Sequence, residues 1–168
     1  MKRPSAATLV GLFVALGLPY FLTLLFGDGS AGLSALSPVA SEWVITLILL
    51  GIVFFWEHQS LASLGIKRVT WGSVLWGVAG FIVGAVSFIF TTPLVNALGL
   101  SSTSPGIMQL AQTPIALRIG IVITAGITEE ILFRGYPIER LTSMTGRVVL
   151  GAGIAYLAFV LLHIPFWG

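Results

Sequence analysis

The sequence predicts an all-α, polytopic membrane protein with about five transmembrane helices in a single domain over residues 1–168. Two observations carry this prediction. The first is composition. Of the 168 residues, 57% are hydrophobic and 8% charged, and the mean hydropathy is +1.04, whereas a soluble domain uses about 25% charged residues to cover its surface. The second is patterning: the apolar residues gather into five runs, and most of the Lys and Arg lie between them. A net charge of +2 would hint at nucleic acid in a soluble chain. Here no basic run is long enough to track a phosphate backbone, so no nucleic-acid partner is expected and the lipid bilayer is. There is no Cys, which excludes disulfides, thiolate metal sites and palmitoyl anchors.

The first run, roughly Thr8 to Phe26, follows Lys2 and Arg3. Its length and the further apolar runs after it favour an uncleaved span over a signal peptide. The second, roughly Trp43 to Trp56, is short for a span and needs Ser41 and Glu42, or Glu57 and His58, near the interfaces. The third is roughly Trp71 to Leu98, with Pro93 near its end; the fourth begins near Ile115; the fifth runs from about Val148 to His163. Trp43, Trp56 and Trp71 sit at run ends as interfacial anchors. Gly77, Gly80 and Gly84 fall on one helical side, as do Gly11 and Ala15, which predicts close helix packing. His58 beside Glu57 reads as an interfacial pair.

Orientation follows from the basic residues. Lys2 and Arg3, Lys67 and Arg68, and Arg140 and Arg147 occupy alternate loops and so share one side, which should be the cytoplasm. Asp28 and Glu42 fall in the opposite loops, with Arg118 the one basic residue near them. An integral protein with a cytoplasmic N-terminus is expected, in the cell membrane.

The fourth run is broken by charge, in Ile127-Thr128-Glu129-Glu130-Ile131-Leu132-Phe133-Arg134-Gly135. Carboxylates inside a membrane helix are costly and usually serve function. Glu130 and Arg134 are spaced i, i+4 and can pair on one face. Glu129 points about 100° away from Glu130 and has no sequence-local cation, which suits one structural carboxylate and one free to accept a proton. The plainer alternative is a helix that ends here, with all three charges in the interface. His163, at the end of the fifth run, would on its own read as interfacial too. Register links it to Glu129. The midpoint of 129 and 163 is Gly146, within the turn candidate Met144-Thr145-Gly146-Arg147. A helical hairpin turning there puts both residues roughly 25 Å from the turn, at equal height. This requires helix to continue through Gly135 and Pro137, with a kink at the proline, and leaves Arg134 and Glu139 in need of protein or water partners.

Glu-Glu-x-x-x-Arg, followed by Phe-x-x-x-His at Phe159 and His163, resembles the first two motifs of the CPBP intramembrane proteases, the type II CAAX prenyl endopeptidase or Abi family. The Ser63-Leu64-Gly65-Ile66-Lys67-Arg68 stretch also resembles a segment of that family, so the resemblance covers roughly residues 60 to 168. It implies an intramembrane endopeptidase acting on a peptide or membrane-protein substrate. Glu129 would be the base that activates water and His163 would assist that water, while Glu130, Arg134 and Phe159 would support the site. The family also carries a later His and an Asn on a further helix, and this sequence is therefore read as the N-terminal part of such a domain. The family's older label is metalloprotease, yet His163 and two adjacent Glu of divergent direction make a poor zinc set, because catalytic zinc usually takes three protein ligands. No cofactor is expected. A non-catalytic immunity or binding partner of the same stock is the alternative reading, and a small transporter with Glu129 and Glu130 in a proton path is a third.

Overall fold

The structure, a computed structural model, describes residues 4–26, 36–66, 68–100, 108 and 110–167. Lys2, Arg3, Asp28 and Lys67, all used in the orientation reading, lie outside the described residues. Every regular element among the described residues is helical, as the composition predicts. Helix α1 comprises Ala6–Leu12, a π-helical stretch Phe13–Gly17, and Leu18–Phe26. It starts where Ser5 turns extended and its hydroxyl accepts the Thr8 N–H, relieving one orphan donor of the first turn. Helix α2 runs Leu36–Gly51 and closes in a second π-helical stretch, Ile52–Trp56. A short 3-10 turn at Leu61–Leu64 ends on Gly65 with φ 74, a backbone conformation open to glycine at little cost. Helix α3 is Trp71–Ala97, opened by a reciprocal Thr70–Ser73 capping box. Helix α4 joins Ile115–Glu129, a third π-helical stretch Glu130–Gly135, and Tyr136–Thr145; helix α5 is Val148–Trp167.

Two of the helices, over Val39–Trp56 and Trp71–Ala97, are long and apolar enough to cross a membrane by length and composition; Ala6–Leu22 and Val148–Ile164 form shorter apolar helices. Helix α4 carries Arg118, Glu129, Glu130 and Arg134 within its apolar stretch.

The hairpin expected from the 129/146/163 spacing is present. Helix α4 continues past Gly135 and Pro137, and the chain reverses at Gly146, whose φ is 71 and whose N–H bonds Thr142 O at 2.8 Å. The irregularity expected at Pro137 takes the form of the π-helical stretch just before it, where the Tyr136 N–H reaches back five residues to Ile131 O. Proline offers no N–H to the preceding turn, and a widened turn gives its ring room.

The core lies where α1, α2, α4 and α5 meet: Val14, Ala15, Ile45, Leu49, Val53, Leu132, Phe133 and Tyr136, with Phe159 and Leu162 packed against them. All three π-helical stretches contribute to it. Gly11 lets α1 approach α4, since a Cβ there would lie 2.0 Å from the Tyr136 hydroxyl. Gly135 seats the loop after α2, since a Cβ would lie 2.5 Å from the Leu64 carbonyl oxygen, a backbone atom with no rotamer to yield.

Three sequence expectations are corrected. Gly77, Gly80 and Gly84 do not mediate packing among the described residues: a Cβ on any of them would meet nothing within 4 Å, and α3 buries no residue. Glu42 is not a loop residue, because α2 begins at Leu36 and carries it inside the helix, where a hydroxyl of α4 supplies the partner its carboxylate needs. Arg140 is not a free loop cation; it lies within α4 and pairs with Glu57.

Candidate functional site

The two arms of the α4–α5 hairpin bring Glu129 and His163 together, with His163 Nε2 3.5 Å from Glu129 Oε1 and both side chains part-buried. The imidazole is held from its other side. Nδ1 lies 2.8 Å from the Phe159 carbonyl oxygen one turn earlier. A carbonyl can only accept, so Nδ1 carries the hydrogen and Nε2 is the atom left to face Glu129. The ring also lies over Phe159, with centroids 4.1 Å apart, and Phe159 in turn meets Phe133 edge-on at 5.4 Å. Phe159, the other residue of the second motif, thus fixes His163 through both its carbonyl and its ring.

Glu130 and Arg134 do not join this pair. They bond each other across one turn, Arg134 Nη1 to Glu130 Oε2 at 2.5 Å, on a separate face, with 58% and 64% of their side chains exposed. That face borders a groove of about 480 Å³ lined by Leu64, Ile66, Ile138 and Glu139 as well as the pair itself. The π-helical stretch begins at Glu130, so the two adjacent carboxylates leave the helix on either side of a change in its winding.

Three side chains that the sequence analysis did not place in the site complete the setting. Thr128, fully buried, donates from Oγ1 to Glu42 Oε2 at 2.7 Å. Glu42 is thereby brought from α2 into electrostatic reach of Glu129 and His163. Phe133 closes the aromatic stack. Only the contact between α2 and α4 reveals Glu42; no spacing along the chain relates residues 42 and 128.

A second polar centre ties together α1, α2, the loop after it and α4. Glu57 accepts from Arg140 Nη2 at 2.6 Å and Nε at 3.0 Å, from the Tyr136 hydroxyl at 2.9 Å and from Thr8 Oγ1 at 2.9 Å. Arg140 also donates to the Ser63 carbonyl and hydroxyl, both at 3.1 Å, and lies over the Tyr136 ring at 4.8 Å. The expected Glu57–His58 pair is thus replaced: His58 is exposed with φ 52, while Glu57 turns inward. Burial pushes the Glu57 carboxyl up, but the hydrogen bonds from Arg140, Tyr136 and Thr8 and the charge of Arg140 outweigh it and hold the group below the usual carboxylate range. A carboxyl held low in the folded state contributes stability that is present above its unfolded value near 4.5 and is lost as pH falls through the folded value. Thermal melts of detergent-solubilised protein are expected to be flat from pH 7 to about 5 and to drop in the acid range below that, and Glu57→Gln is expected to flatten the drop.

Among the described residues, no group of three or more His, Cys, Asp or Glu is arranged to hold a metal ion.

Residues 111–168 match the family described as Type II CAAX prenyl endopeptidase Rce1-like, the family that the two motifs resemble. No curated protein and no solved structure matches the chain.

Proposed function

We propose that this chain, whose residues 111–168 are Rce1-like, spans the membrane with all five of its long helices, N-terminus in the cytoplasm, and serves as an intramembrane endopeptidase. The single observation supporting this most is the Glu129–His163 pair at 3.5 Å on facing hairpin arms. Peptide hydrolysis needs a base for water and a group that keeps the water aligned with the carbonyl carbon. In this reading Glu129 takes the proton of a water held between its carboxylate and His163 Nε2. The oxygen attacks the peptide carbonyl, the C–N bond breaks, and the proton passes from Glu129 to the leaving amine. The Phe159 carbonyl fixes the imidazole so that Nε2, and not Nδ1, meets the water. Glu130 and Arg134 act at a distance, as an ion pair that shapes the helix from which Glu129 projects. The substrate is a peptide or a membrane-protein segment, and the family description points to prenylated CAAX sequences.

The test is cleavage of a fluorescence-quenched farnesylated CAAX peptide by the protein in lipid nanodiscs. His163→Ala is expected to lower kcat by about 10² to 10⁴, the usual contribution of a positioned acid–base group. Undiminished cleavage by that variant would overturn the assignment. An inert wild-type protein whose biological effect survives His163→Ala would point to a non-catalytic binding partner instead.

A further inference from the structure

We propose that Glu42, on α2, is a positioning residue of the Glu129–His163 site, acting through Thr128 and through its own charge. This rests on the reading of Glu129 and His163 as the hydrolytic pair. Thr128 is the residue immediately before Glu129, fully buried in the bundle. Its hydroxyl lies 2.7 Å from Glu42 Oε2 and 3.0 Å from the Thr124 carbonyl oxygen one turn back. One hydroxyl proton cannot serve both fully, and the closer carboxyl oxygen takes the larger share. The bond therefore pulls a threonine that would ordinarily bond within its own helix towards α2, and it does so at the last α-helical turn before the π-helical stretch. Anchoring this turn from outside fixes the direction in which Glu129 leaves the helix.

The second contribution is charge. Glu42, bonded to Thr128 on α4, also lies within electrostatic range of Glu129 on α4 and His163 on α5. Two carboxylates from different helices thus address one imidazole. Glu129 touches it, and Glu42 acts from behind the Thr128 hydroxyl. One turn further along α2, Thr46 is fully buried, and its hydroxyl has no hydrogen-bond partner among the described residues.

Three variants in nanodiscs test the proposal: Glu42→Gln, which keeps an acceptor for Thr128 and removes the charge; Glu42→Ala, which removes both; and Thr128→Val. With the quenched CAAX peptide, Glu42→Ala is expected to lower kcat about 10- to 100-fold, the scale typical of a group that orients a reacting side chain, with KM unchanged. The Glu42→Ala, Thr128→Val double variant is expected to lose little more than Glu42→Ala alone. A readout independent of turnover is the nitrogen resonances of the His163 ring in histidine-labelled protein at pH 7. They are expected to move in Glu42→Gln while those of exposed His58 stay in place. Unmoved His163 resonances in both Glu42 variants would overturn the proposal, as would additive losses in the double variant. A wild-type protein that cleaves nothing, with His163 resonances that nevertheless respond to Glu42→Gln, would overturn the protease reading and leave the placement of Glu42 standing.

Discussion

Glu129→Gln is expected to reduce peptide cleavage by about 10³-fold or more while leaving the fold intact. The substitution is nearly isosteric, so the contact with His163 Nε2, 3.5 Å away in the wild type, survives in shape, but the amide cannot take a proton from water. A positioned base contributes about 10² to 10⁴ to rate, and none of the described residues in contact with His163 can replace it. Glu42 lies behind the Thr128 hydroxyl, and Glu130 is committed to Arg134 on another face. Single-turnover cleavage of the prenylated peptide, with circular dichroism to verify helicity, checks the loss. Glu130→Gln provides the contrast. Because that pair is more than half exposed, its removal should cost far less than removal of Glu129, whether read by kcat or by melting temperature. Equal losses in the two variants would mean that the adjacent carboxylates share one task, against the division of labour proposed above.

The largest expected effect on stability belongs to Arg140→Met. Glu57 has 5% of its side chain exposed and Arg140 13%, so deleting the guanidinium strands a buried carboxylate. Breaking a buried pair in this way costs about 3–5 kcal/mol. The same variant removes both bonds to Ser63 and the contact over the Tyr136 ring. The loop after α2 should therefore loosen along with the bundle. Adding Glu57→Gln is expected to recover more than half of the loss, since a neutral amide oxygen still accepts from Tyr136 and Thr8, as the carboxylate does at 2.9 Å in each case. Equilibrium melts of the two variants in one detergent, compared with wild type, measure both steps. A double variant no better than Arg140→Met would show that the guanidinium acts through its loop contacts rather than by neutralising Glu57.

How much of this could be read in the chain depends on the range of each interaction. The hairpin and the meeting of Glu129 with His163 were legible because they follow from one turn and a helical rise, quantities set by local backbone geometry. The pairing of Glu130 with Arg134 was legible for the same reason. Glu42 and Glu57 were misread because their partners lie 86 and 83 residues away along the chain. Hydropathy assigns a charged residue near the end of an apolar run to the interface unless something across the bundle satisfies it. The glycine face of α3 was read as a packing surface from spacing alone, and spacing cannot say which helix comes to meet it. Of the three π-helical stretches among the described residues, Phe13–Gly17 and Glu130–Gly135 each end two residues before a proline, Pro19 and Pro137, and Ile52–Trp56 closes a helix; a proline marks where a helix must adjust, but not that the adjustment is a widened turn.

The hairpin has one more consequence, for how this segment can change over evolutionary time. Between Glu129 and His163 lie two arms of equal residue number about Gly146, and none of the residues of the turn itself touches the pair. Yet deleting a single position from either arm, even at exposed Ser143, would lower one partner by about 1.5 Å and swing it by about 100°, which presents a different side chain to the imidazole. Amino-acid exchange along the exposed flanks of the arms is cheap, whereas insertion or deletion is not. The spacing of the two motifs is thus itself under constraint: a ruler whose length matters more than what is written along it.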